Sequence, residues 1–141
     1  MSKSTLSTLK IIDSKDISEL RIIKEISSSV NGKIFEVGKE EKYALKTMHA
    51  GELTFKDFQR FIQEYEIISM LDHPNIIRSF SIFLSDESKP PSILLELCPN
   101  NLYRIITKQS PTKVEIITYI YQIVEGMKYV HECNIIHRDL K

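Results

Sequence analysis

From Leu20 to Ile26 apolar and polar residues alternate loosely, the two-residue period of a half-buried strand. The small polar run Ser27-Ser28-Ser29-Val30-Asn31-Gly32 breaks that pattern and predicts a turn. Ile34–Val37 predicts a second strand, Gly38-Lys39-Glu40-Glu41 a second turn, and Tyr43–Met48 a third strand, which completes an antiparallel meander. At Asp57 the period changes. Phe58, Phe61, Ile62, Tyr65, Ile68 and Leu71 recur at three- and four-residue steps, so a helix with one apolar face is predicted over 57–71. His73-Pro74 ends it, because proline disfavours helical backbone in the residue before it. Two more β-prone runs follow, Ile76–Phe83 and Ile93–Leu97, separated by a polar, proline-containing loop from Ser85 to Pro91.

Leu102–Ile106 predicts a short helix, and Thr112–Val130 a long one. Thr112 and Glu115 have the spacing of a capping box, and Ile116, Ile120, Ile123, Met127 and Val130 line one face. That stripe also suits a coiled-coil seam, but it persists for only about two heptads, fewer than the three to four such an assignment needs. A buried domain helix is the better reading. Three strands, a helix, two strands and then helices imply a small α+β lobe followed by the start of a helical one.

Length and composition narrow the class. At 141 residues the chain suits one domain rather than two, with 42% apolar residues for a core and 27% charged residues for a solvated surface. Nineteen basic side chains balance nineteen acidic ones, so charge argues neither for nucleic acid nor for an anionic membrane. Met1–Lys10 is rich in Ser and Thr, has no apolar run, and reads as neither signal peptide nor membrane span. The first dozen residues are expected to be disordered. Cys98 and Cys133 lack Cys-x-x-Cys spacing and fit free thiols in a reducing, cytoplasmic setting.

Three segments carry chemistry. Lys46 sits in Tyr43-Ala44-Leu45-Lys46, where a strand would aim a cation; alone, such a lysine is most often a solvent-facing side chain. Glu64 lies eighteen residues later on the apolar-faced helix, ten before Pro74 in a segment ending His73-Pro74-Asn75-Ile76. A lysine aimed into a cleft needs such a carboxylate to limit its rotamers. Glu66 is a rival partner, about 200° further round the helix. The third segment is His137-Arg138-Asp139-Leu140-Lys141, an aspartate on a tight loop with a cation two residues on. His131, Glu132, Cys133, His137 and Asp139 lack the paired spacing of a metal site, so no metal ligands are assigned.

In this order the three segments resemble the catalytic domain of eukaryotic protein kinases of the serine/threonine type, over Leu20–Lys141. The resemblance implies a flexible extension over 1–19 and an N-lobe over 20–95 with a five-stranded antiparallel sheet and one helix. A hinge would follow over 96–101 and the start of a C-lobe over 102–141. It implies transfer of the ATP γ-phosphate to protein hydroxyls, with Mg2+ as the usual companion. Lys46, held by Glu64, would reach the nucleotide phosphates. Ile34 and Ala44 would sandwich adenine, Leu95 would border its pocket, and the backbones of Glu96 and Cys98 would bond its edge. Asn101 occupies the place of a ribose-contacting polar residue. Asp139 would accept the substrate hydroxyl proton, Arg138 would receive an activation-loop phosphate, and Lys141 is the serine/threonine-type residue.

One departure is plain. The family's Gly-x-Gly-x-x-Gly-x-Val maps onto Ser27–Ile34, and of its three glycines only Gly32 is present, so amides there approach phosphate with less freedom. The resemblance also covers only the first part of such a domain. The metal-holding asparagine and the Asp-Phe-Gly segment are not among these 141 residues. The chain by itself is therefore expected to lack phosphotransferase activity, and the apolar face of 112–130 to stay uncovered unless a protein partner encloses it. Two other readings remain: a non-catalytic kinase-like binding module, and an incomplete gene product.

Overall fold

The structure, a computed structural model, describes residues 19–38, 40–49, 54–84 and 89–140. Residues 1–18, most of the predicted extension, lie outside the described residues, as do 85–88 of the predicted loop and Lys141. The described chain forms two compact units. One runs up to Met70 and resumes for Arg78–Leu97; the other comprises Leu71–Ile77 and the chain from Cys98 onward.

The first unit is a sheet with one helix. Its strands are β1 (Ile22–Ser29), β2 (Gly32–Gly38), β3 (Lys42–Thr47), β4 (Ser79–Phe83) and β5 (Ser92–Glu96). They lie in the order β1-β2-β3-β5-β4 with every neighbouring pair antiparallel. This is the predicted α+β architecture with five strands. Strand boundaries shift from expectation by up to three residues, and two of them shift that far. The serine run is strand rather than turn: pairing continues through Ser27↔Ile34 and Ser29↔Gly32, leaving only Val30–Asn31 to reverse the chain. β4 begins at Ser79 rather than Ile76, because the residues before it belong to the second unit.

The helix α1 (Phe55–Ser69) starts two residues earlier than predicted. Thr54 caps it: its hydroxyl accepts from the Asp57 backbone N–H, and the Asp57 carboxylate accepts from the Thr54 backbone N–H. Strand alternation places Ala44, Met48, Ile93 and Leu95 on one sheet face, where they join Phe61 and Tyr65 of α1 and Ile82 of β4 in a single core. Glu36, on the same face as Ala44, is also buried, and its two carboxylate oxygens each take one lysine, Lys24 from β1 and Lys42 from β3, both at 3.0 Å. The paired lysines hold its carboxyl below the usual carboxylate range, Lys24 contributing most.

The second unit contains α2 (Leu102–Gln109) and α3 (Lys113–Glu132). The capping box predicted for α3 is present, with Thr112 accepting from Glu115 N–H and Glu115 accepting from Thr112 N–H. Its far end closes as a Schellman motif. Asn134 takes φ of 59° and donates to the His131 carbonyl, and Ile135 donates to the Val130 carbonyl at 3.1 Å. Asparagine tolerates that left-handed backbone better than most residues. The segment His73–Asn75 docks on this helix. The His73 ring stacks on Tyr129 with centroids 5.1 Å apart, and the Tyr129 hydroxyl accepts from Asp72 N–H. Gly126 permits the approach, since a Cβ there would lie 3.2 Å from the Asn75 carbonyl oxygen.

The apolar stripe on α3 is not the buried helix that its periodicity suggested; it is uncovered, as expected for these residues by themselves. Of its five residues only Val130 is buried; Ile116, Ile120 and Ile123 are exposed. Burial is confined to the end of the helix that carries the docked Asp72–Asn75 segment. Among the described residues, no helix is long and apolar enough to cross a membrane.

Candidate functional site

Lys46 lies near the end of β3, directly opposite Ile34 of β2 and Ile93 of β5. Its ammonium group is ion-paired and hydrogen-bonded with Glu64 of α1. The pairing follows from how α1 is anchored. Phe61 and Tyr65 of α1 are buried in the core, Tyr65 to 2% exposure, and Glu64 stands between them on the adjoining surface of the helix. Glu66 takes no part: its Oε1 is turned into the interior without a hydrogen-bond partner. Lys46 and Glu64 remain about a quarter and a third exposed, so solvent screens their attraction and the pair positions more than it stabilises.

The residues predicted to flank a purine are placed around this lysine. Ala44 is buried, two residues before Lys46, and pairs across the sheet with Leu95. Ile34 packs against the core from β2. These three side chains share the sheet face that carries Lys46, and an apolar surface beside a fixed cation is what an adenine ring with attached phosphates requires. The Glu96 backbone N–H is committed to the Arg78 carbonyl at 2.9 Å, and its carboxylate accepts from Arg78 N–H at 3.2 Å. A ligand contact from the Glu96 backbone would therefore use its carbonyl oxygen.

Gly32 closes the β1–β2 hairpin opposite Ser29. It adopts φ of 145°, and a Cβ at this position would stand 2.0 Å from the Thr47 carbonyl oxygen. The surviving glycine is thus required by the sheet itself, apart from any ligand. Beside it the Ser29 hydroxyl donates to the Gly32 carbonyl at 3.3 Å.

In the second unit, Cys98 is an exposed thiol, as is Cys133. Asn101 is the N-cap of α2, its Oδ1 accepting from Arg104 N–H at 2.8 Å. Its side chain therefore has a structural duty of its own. Asp139 lies on the loop launched by the Schellman motif at the end of α3. Its backbone N–H donates to His137 Nδ1 at 3.2 Å, and the intervening Arg138 takes φ of 63°. Left-handed backbone in a residue other than glycine is costly, and such strain concentrates at functional loops. Lys141 lies outside the described residues.

Three features escaped sequence reasoning. The Lys24–Glu36–Lys42 cluster depends on cross-strand register, and the bulges between Ile22 and Lys24 and between Glu25 and Ser27 shift that register away from simple alternation. The second is a hydrogen bond between His49 Nε2 and the Ser29 carbonyl at 2.6 Å, spanning twenty residues. The Thr54–Asp57 capping box was also missed, although its Thr-x-x-Asp spacing was the signal that could have placed the start of α1.

A family model described as protein kinase domain matches residues 18–141. The serine/threonine-protein kinase polo of Drosophila melanogaster is 41% identical over 85 residues, covering 59% of this chain and 14% of that protein. The Aurora kinase of Saccharomyces cerevisiae is 35% identical over 100 residues, 70% of this chain and 27% of that protein. Ephrin type-B receptor 1 of Gallus gallus is 32% identical over 134 residues, 89% of this chain and 13% of that protein. The chain thus spans a small part, 13% to 27%, of the length of these three relatives.

Proposed function

The chain belongs to the protein kinase domain family, and from that premise we propose that it binds ATP and serves phosphoryl transfer to Ser and Thr hydroxyls of proteins. The single observation that carries this reading is the Lys46–Glu64 pair, a cation fixed by a carboxylate on a helix whose anchors are buried. In this reading the Lys46 ammonium neutralises phosphate charge, and Glu64 keeps it from wandering among its rotamers. Ile34, Ala44 and Leu95 enclose the adenine, the Glu96 carbonyl and the Cys98 backbone bond its edge, and the β1–β2 hairpin closed by Gly32 covers the phosphates. Asn101 meets the ribose only if its side chain leaves the α2 cap. By family resemblance Asp139 accepts the hydroxyl proton, and Lys141 marks the Ser/Thr preference, in line with the printed name of the polo relative.

Mg2+, when bound, would supply neutralisation of phosphate charge, as in the family generally. The asparagine and Asp-Phe-Gly that hold it in the family are not among these 141 residues. The step that can be tested within them is nucleotide binding. Titration calorimetry should show ATP binding by the chain and at least about tenfold weaker binding by Lys46→Met, the loss of one charge-assisted phosphate contact. Equal affinity in the two proteins, or none in either, would overturn the reading. With exposed thiols and dependence on ATP, the cytoplasm is the proposed location.

A second reading rests on the exposed face of α3, where Ile120, Val124 and Ile117 are all more than half exposed. It makes this unit a docking element for a protein partner, and light scattering on the isolated chain would reveal the accompanying self-association.

A further inference from the structure

We propose that His49 is a positioning residue that clamps the tip of the β1–β2 hairpin over the nucleotide phosphates, an inference that rests on the ATP-binding reading above. The tip needs such a clamp. β1 is the edge strand of the sheet and is exposed along its whole length. The ladder between β2 and β3 ends at Lys33↔Thr47, so Ser29–Gly32 overhangs the last rung, and Val30 at its apex is 95% exposed. In a hairpin of this length the backbone alone leaves the tip free to swing.

Three contacts from the end of β3 oppose that motion. The Gly32 backbone lies against the Thr47 carbonyl so closely that no side chain would fit. The Thr47 hydroxyl donates to the Lys33 carbonyl at 3.5 Å. Two residues further on, the His49 ring passes β2 and reaches β1 itself, at the Ser29 carbonyl, 2.6 Å away. A carbonyl oxygen has no proton to give, so His49 Nε2 must carry the hydrogen. Neutral Nε2–H and imidazolium can both donate here, and the clamp does not depend on which is present.

The contact also bears on phosphate chemistry. Backbone carbonyls near the tip repel an anion, whereas N–H groups attract it. Both carbonyls of the closing pair are engaged by side-chain donors, Ser29 O by His49 and Gly32 O by the Ser29 hydroxyl. Two of the three glycines that would let a hairpin shape itself around phosphate are Ser27 and Ser29 here, so the approach must be built in rather than found on binding. His49 supplies that preset.

The test uses the 141-residue chain with His49→Ala and His49→Gln, the glutamine amide keeping an N–H donor. Hydrogen exchange is followed in peptides spanning Ser28–Lys33, and affinities are measured for ATP and for adenosine, which has no phosphate. His49→Ala should speed exchange at the tip and weaken ATP about fivefold, the effect of one hydrogen bond, while leaving adenosine unchanged. His49→Gln should restore both. Unchanged tip exchange and an unchanged ATP-to-adenosine ratio in His49→Ala would overturn the proposal. So would equal weakening of both ligands without rescue by glutamine, which marks a role in general stability. A wild-type chain that binds neither ligand would instead overturn the ATP-binding reading, and the phosphate role of His49 with it.

Discussion

The two units of this chain, alike in their proportion of apolar residues, put them to opposite uses. In the first, α1 closes one face of a five-stranded sheet, and Tyr65, Ile82 and Ile93 are almost wholly removed from solvent. In the second, α3 has a well-formed capping box and a Schellman end, yet only Gly126 and Val130 of its twenty residues are buried. Local signals therefore suffice to define a helix, whereas the position of a side chain is fixed only where two layers meet. The lysine and glutamate proposed to hold ATP lie in the layered unit.

The sharpest way to break this contrast is to remove a large side chain from each unit. Tyr65→Ala should cost about 3–5 kcal/mol in urea denaturation, the usual loss for a buried aromatic. Ile120→Ala, at an exposed position, should stay within about 0.5 kcal/mol. Comparable losses at the two sites would mean that α3 is covered in solution.

Much of this architecture was legible in sequence. The change from two-residue to helical periodicity located α1, and Thr112-x-x-Glu115 located the start of α3, because both are local signals. The serine run misled because small polar residues are common in turns, while cross-strand pairing can hold them in a strand when a two-residue reversal follows. The stripe on α3 suggested burial only as a pattern, since periodicity says which face is apolar, not whether anything lies against it. Its exposure followed from the resemblance, which places the covering helices outside these residues. Lys46 and Glu64 were legible by resemblance and spacing, which already preferred Glu64 to Glu66; the structure adds the physical reason, the helix orientation set by Phe61 and Tyr65. His49 had no local signal at all.

A smaller effect sharpens the account of α3 as a locally defined helix. Thr112→Ala removes the hydroxyl arm of its capping box, which accepts from Glu115 N–H, while keeping the backbone N–H that Glu115 accepts from. The loss should cost about 1 kcal/mol of helix stability. Circular dichroism and hydrogen exchange should locate the fraying in the first turn, with the sheet unaffected. Fraying that reached the sheet would show the two units to be cooperative.

The subtlest test concerns Glu36. Its carboxyl is held below its ordinary 4.5 by Lys24 and then Lys42. A depressed folded value stabilises the protein above the unfolded value, and that contribution is lost as pH falls from about 4.5 through the lowered folded value. Glu36→Gln should flatten that part of the stability profile of the first unit, read as melting temperature against pH. An unchanged slope would mean that the two lysines do not hold the charged form.

The central claim is that Lys46 grips nucleotide phosphate because Glu64 holds it there, and a double-mutant cycle on ATP affinity tests it most directly. Lys46→Met and Glu64→Gln should each weaken binding, and the double variant should be no weaker than Lys46→Met alone, since the glutamate acts only through the lysine. Losses that simply add would contradict it, for the two side chains would then be contributing independently.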